Sequence, residues 1–541
     1  MGEAFVGVDV GTGSARAGIF GASGQLLASA KRPIGIWHEP GDIVEHSSRD
    51  IWQAATGAVS EAVASAGLPP REFAGIGFDA TCSLVVLDAS GNSLPVGPSG
   101  EAERDTIVWM DHRATREADS IDAGGHDVLR YVGGKISPEM EAPKLLWLAR
   151  HMPATFARAA LFFDLTDFLT WRATGDVTRS LCTIACKWTY LAHERRWAAD
   201  FFDSIGLGEL AVNGFSRIGA KVAPPGAPLG RGLTRASAVE MGLPEGLPVG
   251  AGLVDAHAGA VGTLGAGLEG GPVDPLRRLA LILGTSACCM ALADKPRFIK
   301  GVWGPLYSVL TPGHWLSEGG QSAFGAAIDH LMKMHPRFAE VSKRANGLAF
   351  EQMERDILAR AGSFSSAALL SSELHVLPDF LGNRSPFADS SARGALFGLD
   401  LRDDYASLLQ FYVAGLTGLA HGLAQVIRTL EAGGFDFDRL VVSGGAARSA
   451  LVRQLIADAS GKAVSAPLTS EPVLLGAAML GAVAAGRHTM QSAMSGMSSL
   501  AEQSLPRQGE IADFHFRKRR AFEAIQQTEQ SVRGLMNASS A

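Results

Sequence analysis

The segment Val6–Phe20 constrains the fold of this 541-residue chain more than any other stretch, because a glycine-rich turn joins two apolar runs there. Phe5–Val10 is rich in β-forming residues and carries Asp9 near its end, and Ala15–Phe20 is apolar again. This pattern predicts a β-hairpin. Turn glycines allow backbone N–H groups to approach an anion closely, so the turn is a candidate phosphate nest. Its residues are Gly11, Thr12, Gly13 and Ser14.

Asp9 lies immediately before this turn, where its carboxylate would repel a bound phosphate. A divalent cation between the two groups removes that repulsion, so Asp9 is a candidate Mg2+ ligand, directly or through water. An ordinary glycine-rich hairpin is the alternative that this segment alone leaves open. The chain has neither the Walker pattern G-x-x-x-x-G-K-[ST] nor a Rossmann G-x-G-x-x-G that opens a helix.

A second hairpin of the same kind lies far along the chain. The apolar run Leu279–Leu283 leads into Gly284, Thr285 and Ser286, and Ala287–Leu292 is apolar again. Two phosphate hairpins flanked by strands indicate the actin-like ATPase architecture, in which two similar α/β halves hold a nucleotide in the cleft between them. A glycine turn at Ser443–Ser449 precedes a predicted helix, which is a natural seat for the nucleotide.

Asp255 is the best candidate for a general base. It follows a predicted strand at Leu247–Gly252 and lies among small residues that leave room for a substrate hydroxyl. Phosphoryl transfer to an alcohol needs positioning, a cation on the phosphates and a carboxylate that accepts the hydroxyl proton. A helix or turn cap is the alternative interpretation of Asp255. We interpret the nearby His257 as structural, because no second histidine or cysteine has ligand spacing near it.

Polar residues at the ends of other strands suit a ligand with many hydroxyl groups, since carboxylates and cations hydrogen-bond to adjacent hydroxyls. Lys187 lies in an otherwise apolar run, where a charged side chain needs a partner or a route to the surface. Glu318 lies at a predicted strand-to-helix junction. The candidate substrate-binding residues are Ala80, Thr81, Cys82, Asp111, Lys187, Asp255 and Glu318.

Length and composition narrow the class of protein. A chain of 541 residues that is 47% hydrophobic predicts two or more domains. The net charge of −7 argues against a nucleic-acid surface. Five cysteines without framework spacing indicate a reducing compartment. Cys182 and Cys186 have helical spacing, which favours core packing over a zinc knuckle.

The amino terminus has no basic segment followed by an apolar one, so we predict no signal peptide. The longest apolar run near the carboxyl end, Val473–Gly486, is too short to span a bilayer. Its glycine and alanine content predicts a tightly packed helix, which could form a wall beside a flat base. We therefore expect a cytoplasmic protein without a membrane or nucleic-acid partner.

Six motifs in order resemble those of the FGGY carbohydrate kinases: DVGTGSAR, WMDHRA, VDAHAG, LGTSA, SEGGQSA and SGGAARS. The resemblance covers nearly the whole chain. It implies two ribonuclease H-like domains, a cleft that holds ATP and Mg2+, and transfer of the γ-phosphoryl group to a sugar hydroxyl. It also suggests a homodimer. The expected domains are residues 1–265, residues 266–505 and a helical tail at residues 506–541, with the crossing in the glycine-rich segment Gly259–Gly271.

The resemblance assigns roles to individual residues. Asp9 matches the Mg2+-associated aspartate, and Asp255 matches the catalytic base. The first phosphate motif contains Thr12, Ser14 and Arg16, the second contains Gly284, Thr285 and Ser286, and the adenosine motif contains Gly444, Gly445 and Ser449. Many members of the family carry asparagine where Ser449 stands.

The resemblance also narrows the sugar. The sequence TCSLV at Thr81–Val85 is similar to a signature of the D-ribulokinase branch. Lys187 and Glu318 match positions that contact ribulose in the related L-ribulokinases. D-ribulose, phosphorylated at O5 to D-ribulose 5-phosphate, is therefore the expected substrate, with L-ribulose and ribitol as close competitors. The rival of another class is an actin-like ATP-binding sensor or assembly protein without sugar chemistry.

Overall fold

The computed structural model describes residues 3–268 and 273–537, which form two α/β halves. The strands of the N-terminal half are β1 (Ala4–Val10), β2 (Ser14–Gly21), β3 (Leu26–Pro33), β4 (Trp37–Glu39), β5 (Ile43–His46), β6 (Phe73–Ala80), β7 (Leu84–Leu87), β8 (Thr106–Ile107), β9 (Leu161–Asp164), β10 (Arg179–Ser180), β11 (Val222–Ala223) and β12 (Leu253–Val254). Its helices are α1 (Ser48–Ala66), α2 (Thr115–Ala123), α3 (Glu141–His151), α4 (Pro153–Arg158), α5 (Leu165–Thr174), α6 (Leu181–Lys187), α7 (Ala199–Ser204), α8 (Arg235–Met241) and α9 (Asp255–Leu264).

The strands of the C-terminal half are β13 (Arg278–Leu283), β14 (Ala287–Ala293), β15 (Trp303–Tyr307), β16 (Trp315–Gln321), β17 (His375–Leu377), β18 (Ala395–Phe397), β19 (Arg439–Ser443), β20 (Ala463–Pro467) and β21 (Leu500–Ser504). Its helices are α10 (Gly325–Met334), α11 (Phe338–Arg344), α12 (Ala349–Ala361), α13 (Phe364–Ala367), α14 (Tyr405–Ala432), α15 (Ala450–Ser460), α16 (Pro472–Ala484), α17 (Met490–Met497) and α18 (Glu510–Asn537).

The main sheets of the two halves share one topology. The N-terminal sheet has the order β12–β6–β1–β2–β3, in which β1, β2 and β3 are antiparallel and β6 and β12 run parallel to β1. The C-terminal sheet repeats this arrangement as β20–β19–β13–β14–β16, with β15 and β21 added at its two edges. The two similar α/β halves expected from the hairpins are therefore present.

Both predicted hairpins form, and their turns close with equivalent hydrogen bonds. The Gly11 amide donates to the Ser14 carbonyl at 3.0 Å, and the Gly284 amide donates to the Ser286 carbonyl at 2.9 Å. Each turn connects the central strand of its sheet to the neighbouring antiparallel strand. The sequence repeat of a strand, a glycine turn and a strand thus corresponds to a structural repeat.

Helix α16 lies between the two halves. It packs against β1 and β6 of the N-terminal sheet and along α9. Glycines allow this approach: a Cβ atom on Gly7 would lie 2.0 Å from the Leu474 carbonyl oxygen, and one on Gly476 would lie 2.0 Å from the Ala258 carbonyl oxygen. The tight packing predicted for this segment is present, and the helix packs mainly on the first sheet and on α9. The suggestion that it lies beside a nucleotide base stays a prediction.

One element near the catalytic candidate differs from the predicted one, and one boundary stays a prediction. The glycine-rich segment from residue 259 to 271, where the crossing was expected, begins inside helix α9 with Gly259 and Gly262, and residues 269–272 lie outside the described part. A Cβ atom on Gly262 would lie 2.0 Å from the Pro472 carbonyl oxygen, so this glycine serves helix packing. The strand expected at residues 247–252 is displaced to β12, because only Leu253 and Val254 pair continuously with β6.

The carboxyl-terminal segment forms the long helix α18, which packs on the C-terminal half against α14, α15 and β17. Phe514, His515 and Phe522 are its main buried residues. Across the described residues, no helix combines the length and the hydropathy needed to cross a membrane.

We expect Gly7→Ala to lower the thermal unfolding midpoint, because the added methyl group collides with the backbone of α16. Overpacking of this kind costs about 1–3 kcal/mol. Differential scanning calorimetry of the full-length protein measures the effect. Gly57→Ala in helix α1 is the matched control, since its Cβ atom would meet only Arg32 side-chain atoms at 3.8 Å or beyond. An equal midpoint for both variants would contradict the packing argument.

Candidate active site

Three aspartates meet at the carboxyl ends of three neighbouring parallel strands. Asp9 on β1 is directly opposite Asp79 on β6 in the sheet register. Leu253 on β12 is opposite Asp79, and Asp255 follows two residues later as the first residue of α9. The carboxyl ends of parallel strands are where ligand sites form in α/β sheets. Asp79 is not among the candidates drawn from the sequence, although a carboxylate that follows the apolar run at residues 74–78 was the available signal.

Burial and the charges of neighbouring carboxylates raise the pKa values of Asp79 and Asp255. Burial raises the pKa of Asp79 well above its ordinary value, and the charges of Asp9 and Asp255 add to this effect. Burial and the charge of Asp9 likewise raise the pKa of Asp255 to about 6. Among the described residues, no donor group hydrogen-bonds to either carboxylate oxygen of Asp79. A buried carboxylate without a hydrogen-bond donor is a suitable ligand for a divalent cation. Mg2+ is such a cation, because it prefers oxygen ligands.

Arg16 joins this carboxylate group to the other half of the protein. Its Nε donates to Asp9 Oδ2 at 2.8 Å, and its Nη1 lies 2.8 Å from Glu471 Oε2. Glu471 directly precedes α16, so the ion pair connects the first hairpin with the helix that joins the halves. Arg16 therefore has two carboxylate partners, and its predicted contact with a phosphate stays a prediction.

The predicted phosphate turns are held by neighbouring elements. Trp109 Nε1 donates to Thr12 Oγ1 at 2.9 Å in the first turn. In the second turn, the Thr285 carbonyl accepts from the Phe324 amide at 2.8 Å and the Gly284 carbonyl accepts from the Gly325 amide at 3.0 Å. These bonds tie the second turn to the start of α10.

The predicted adenosine turn lies beside the second phosphate turn. Gly444 has φ +91°, and a Cβ atom there would lie 2.5 Å from the Leu283 carbonyl oxygen, so only glycine fits. Ser449 is the N-cap of α15, where its hydroxyl accepts from the Val452 amide at 3.0 Å. The structure therefore gives Ser449 a capping role, and its adenine contact stays a prediction.

A charged pocket lies next to the aspartates and draws residues from both halves. Burial opposes the charge of Lys187, but the neighbouring carboxylates of Glu318 and Glu139 favour it, and the pKa of Lys187 is raised. Burial would raise the pKa of Glu139, whereas its hydrogen bond with His112 and the charges of Arg384 and Lys187 lower it to about 2. Lys187 Nζ also lies 4.5 Å from the centre of the Trp303 ring.

Comparisons with known proteins decide the family. Residues 4–262 match the N-terminal domain, and residues 279–485 the C-terminal domain, of the FGGY family of carbohydrate kinases. The chain belongs to this family. An "FGGY carbohydrate kinase domain-containing protein" from Homo sapiens is 43% identical over 517 residues, 93% of this chain and 92% of that protein. A D-ribulokinase from Saccharomyces cerevisiae is 37% identical over 511 residues, 89% of this chain and 72% of that protein.

Solved structures support the same fold. A xylulose kinase structure from Rhodospirillum rubrum aligns with a TM-score of 0.79 at 23% identity and covers 98% of this chain and 99% of that chain. A glycerol kinase from Plasmodium falciparum aligns with a TM-score of 0.74 at 14% identity, over 99% of each chain. The predicted two-domain, actin-like fold is confirmed, and the chain is a carbohydrate kinase of the FGGY family, whose sugar kinases use ATP.

The substrate-binding candidates of this FGGY kinase have different surroundings. Burial raises the pKa of Cys82 to about 12, so it is a neutral thiol beside Lys187. The Thr81 amide donates to the Val10 carbonyl at 3.0 Å, and Ala80 is fully buried at the end of β6. These residues connect the first hairpin with the charged pocket around Lys187 and Glu318.

Asp111 already has hydrogen-bond partners within the protein, and its predicted contact with a substrate stays a prediction. Its carboxylate is fully buried and accepts from the Val44 amide at 2.6 Å, from the Arg113 amide at 2.9 Å and from the Arg113 guanidinium. Arg113 in turn pairs with Glu45. These partners occupy the oxygens of Asp111, so its contribution in this structure is to hold the segment that carries His112.

Sequence reasoning missed Glu139, Trp303 and Arg384 in the pocket. None of them follows a strand of the predicted sheets, so the strand-end signal used for the other residues does not apply. Arg384 comes from the segment before β18, and its Nη1 lies 3.9 Å from Cys288 Sγ. It acts electrostatically on Glu139 and Glu318 as well, so a residue of the C-terminal half completes the pocket.

We expect Arg384→Ala to raise the KM for the sugar much more than the KM for ATP, because its guanidinium faces the acidic groups of the pocket. A hydrogen bond to a charged group contributes about 1.5–3 kcal/mol, so the sugar KM should rise at least about tenfold. Steady-state kinetics measure both constants. Arg393→Ala, an exposed arginine of the same segment, is the control and should leave both unchanged. Equal rises in the two KM values would refute this role.

Proposed function

We propose that this FGGY kinase transfers the γ-phosphoryl group of Mg-ATP to O5 of D-ribulose and yields D-ribulose 5-phosphate. The observation that carries the proposal is the meeting of Asp9, Asp79 and Asp255 at one sheet edge, beside a pocket of charged side chains. The 37% identity with a named D-ribulokinase and the TCSLV sequence at residues 81–85 support D-ribulose over other pentoses.

In the proposed step, Asp255 accepts the proton of the O5 hydroxyl as O5 bonds to the γ-phosphorus and the bond to the ADP oxygen breaks. A general base works best when its pKa is near the working pH. The raised pKa of Asp255, about 6, meets this condition while leaving the group a carboxylate at neutral pH. The cap interpretation of Asp255 is weaker, since within residues 3–268 and 273–537 the only backbone amide that donates to its carboxylate is that of the adjacent Ala256.

The residues that would hold the nucleotide and its cation surround this base. We assign Mg2+ to the carboxylates of Asp9 and Asp79. The two carboxylate oxygens of Asp79 accept no hydrogen bond from the part of the chain that the structure describes. When bound, Mg2+ would neutralise charge on the phosphates. The turn amides near Gly11 and Gly284 suit phosphate oxygens, because successive N–H groups in a glycine turn form an anion-binding concavity. Gly444 and Gly445 would lie along the adenosine.

The charged pocket suits a ketopentose. Lys187 and Arg384 are donors, while Glu318 and Glu139 accept hydrogen bonds, so adjacent hydroxyls can each find a partner. Lys187 and Asp255 lie close enough for their charges to affect each other, which places the pocket next to the base. This arrangement also favours a sugar kinase over an ATP-binding sensor, because a sensor needs neither the base nor the pocket.

We further propose, on the family resemblance, that the enzyme is a homodimer and works in the cytoplasm. All five cysteines are free thiols, which suits a reducing compartment.

The first test is a coupled ADP-release assay with Mg-ATP against D-ribulose, L-ribulose, D-xylulose, ribitol and glycerol. We expect the highest kcat/KM with D-ribulose. A preference for L-ribulose or ribitol would leave the proposed phosphoryl transfer intact but show that the assignment of D-ribulose to the sugar pocket is wrong. ADP release that no sugar or pentitol stimulates would reject the kinase assignment for this chain.

We expect Asp255→Asn to lower kcat by about 10²–10⁴-fold, the usual contribution of general base catalysis, with ATP affinity retained. In the wild-type enzyme, kcat/KM should fall about tenfold per pH unit below about pH 6, because the carboxylate becomes protonated there.

The control is Asp438→Asn, a surface aspartate that pairs with Arg277. It should keep both the rate and the pH profile. Calorimetric titration with ATP separates loss of chemistry from loss of nucleotide binding. A near-normal rate in Asp255→Asn, with the acid limb intact, would exclude Asp255 as the base.

A further inference from the structure

A cluster of metal-ligating side chains lies behind the charged pocket and takes no part in the proposed reaction. Cys182 and Cys186 are one turn apart on α6, and His257 belongs to α9. One potential ligand atom from each of the three lies within 4.8 Å of the others. All three residues are at most 1% exposed, so the cluster is shielded from bulk solvent. The distance along the chain between residue 186 and residue 257 hid this arrangement from sequence reasoning.

The spacing around His257 matches a tetrahedral metal. Zinc bonds of about 2.3 Å to sulfur and about 2.0–2.1 Å to nitrogen, at tetrahedral angles, separate the two ligand atoms by about 3.5 Å. Cys186 Sγ lies 3.6 Å from His257 Nε2. Glu318 Oε2 lies 3.6 Å from the same nitrogen, but it is not among the ligand atoms that lie within 4.8 Å of one another, so the Glu318 side chain has to turn toward the thiols to complete a tetrahedron.

The chemistry of the donors selects soft or borderline metals. Thiolates and an imidazole bind Zn2+ and related ions strongly, whereas Mg2+ prefers oxygen ligands and keeps its waters. The Mg2+ that the aspartates would hold is therefore a poor competitor for this cluster. Among the described residues, His257 Nδ1 is buried without a hydrogen bond, and the polar contacts of His257 Nε2 are with Cys186 and Glu318, which belong to the proposed site.

We propose that Cys182, Cys186, His257 and Glu318 form an inhibitory binding site for Zn2+ or a similar thiophilic cation. The two thiols and the imidazole supply three ligands, and Glu318 would supply the fourth by turning its carboxylate toward the bound ion. Glu318 is the member nearest the cleft, with 10% of its side chain exposed, and gives the ion a path inward. The thiols lose their protons to solvent on binding, as metal-bound thiolates require.

A consequence for catalysis rests on the proposed function. Glu318 also faces Lys187 in the pocket that would bind the sugar. A metal ion that takes the Glu318 carboxylate removes an acceptor from the sugar, so metal and sugar compete. The site would thus raise the apparent KM for the pentulose and leave kcat at saturating sugar unchanged.

Titration of the full-length protein with Cd2+ tests the site directly, because cadmium–thiolate bonds absorb in the ultraviolet. We expect the band to saturate at one Cd2+ per chain and to be displaced by Zn2+ but not by excess Mg2+. Cys182→Ala should abolish tight binding. Cys289→Ala is the matched control, since Cys289 is a buried thiol in the core of the C-terminal half.

His257→Gln provides a second variant that keeps both thiols, in case loss of a cysteine prevents folding. It should weaken Cd2+ binding at least about tenfold, the usual loss when part of a metal site is removed. Absence of a band in the folded wild type, or an equal band in Cys182→Ala, would show that the cluster is core packing only and overturn the proposal.

Kinetics then separate the site from its consequence. With excess Mg2+ present, Zn2+ should raise the sugar KM of the wild type and of Cys289→Ala, but not of Cys182→Ala. A cadmium band without any change in KM would overturn the inhibitory role. The band does not depend on turnover, so a failure of the kinase assignment leaves this binding measurement intact.

Discussion

The close contact between helix α16 and the N-terminal sheet is the constraint on which the rest of the structure depends. Gly7 on the sheet and Gly476 on the helix bring two backbones together at distances that a methyl group would prevent. Burial of such a large, well-packed surface is the dominant favourable contribution to folding. It fixes the helix that follows Glu471, and Glu471 in turn pairs with Arg16 beside the aspartates. The close packing at these glycines therefore positions the Glu471–Arg16 ion pair beside the aspartates of the cleft.

The aspartate group depends on the parallel strands that this packing supports. Three carboxylates at neighbouring strand ends repel one another, and burial adds to the cost of their charge. The native fold bears this cost because the strands are fixed by sheet hydrogen bonds and by α16. The result is that the pKa values of Asp79 and Asp255 are raised, and perturbed pKa values of this kind are typical of functional sites.

The pocket and the thiol cluster share Glu318, which lies between them. On one side it faces Lys187 and Arg384, and on the other it faces His257. In the two proposals, this single carboxylate binds either the sugar or a metal ion, and it would couple the two sites without any change in fold. This coupling depends on β16, α6 and α9 converging, although they are far apart in sequence.

The sequence by itself determined the two hairpins, the strand that carries Asp9, the family motifs and the candidate base Asp255, because these are local patterns of glycine, apolar and acidic residues. It did not determine the packing of α16 on the first sheet or the hydrogen bonds that Asp111 accepts within the protein. Only the tertiary structure placed Asp79 opposite Asp9, brought Arg384 to Glu139 and joined Cys186 to His257. These contacts join residues whose separation along the chain carries no periodic signal, so the folded backbone alone decides them.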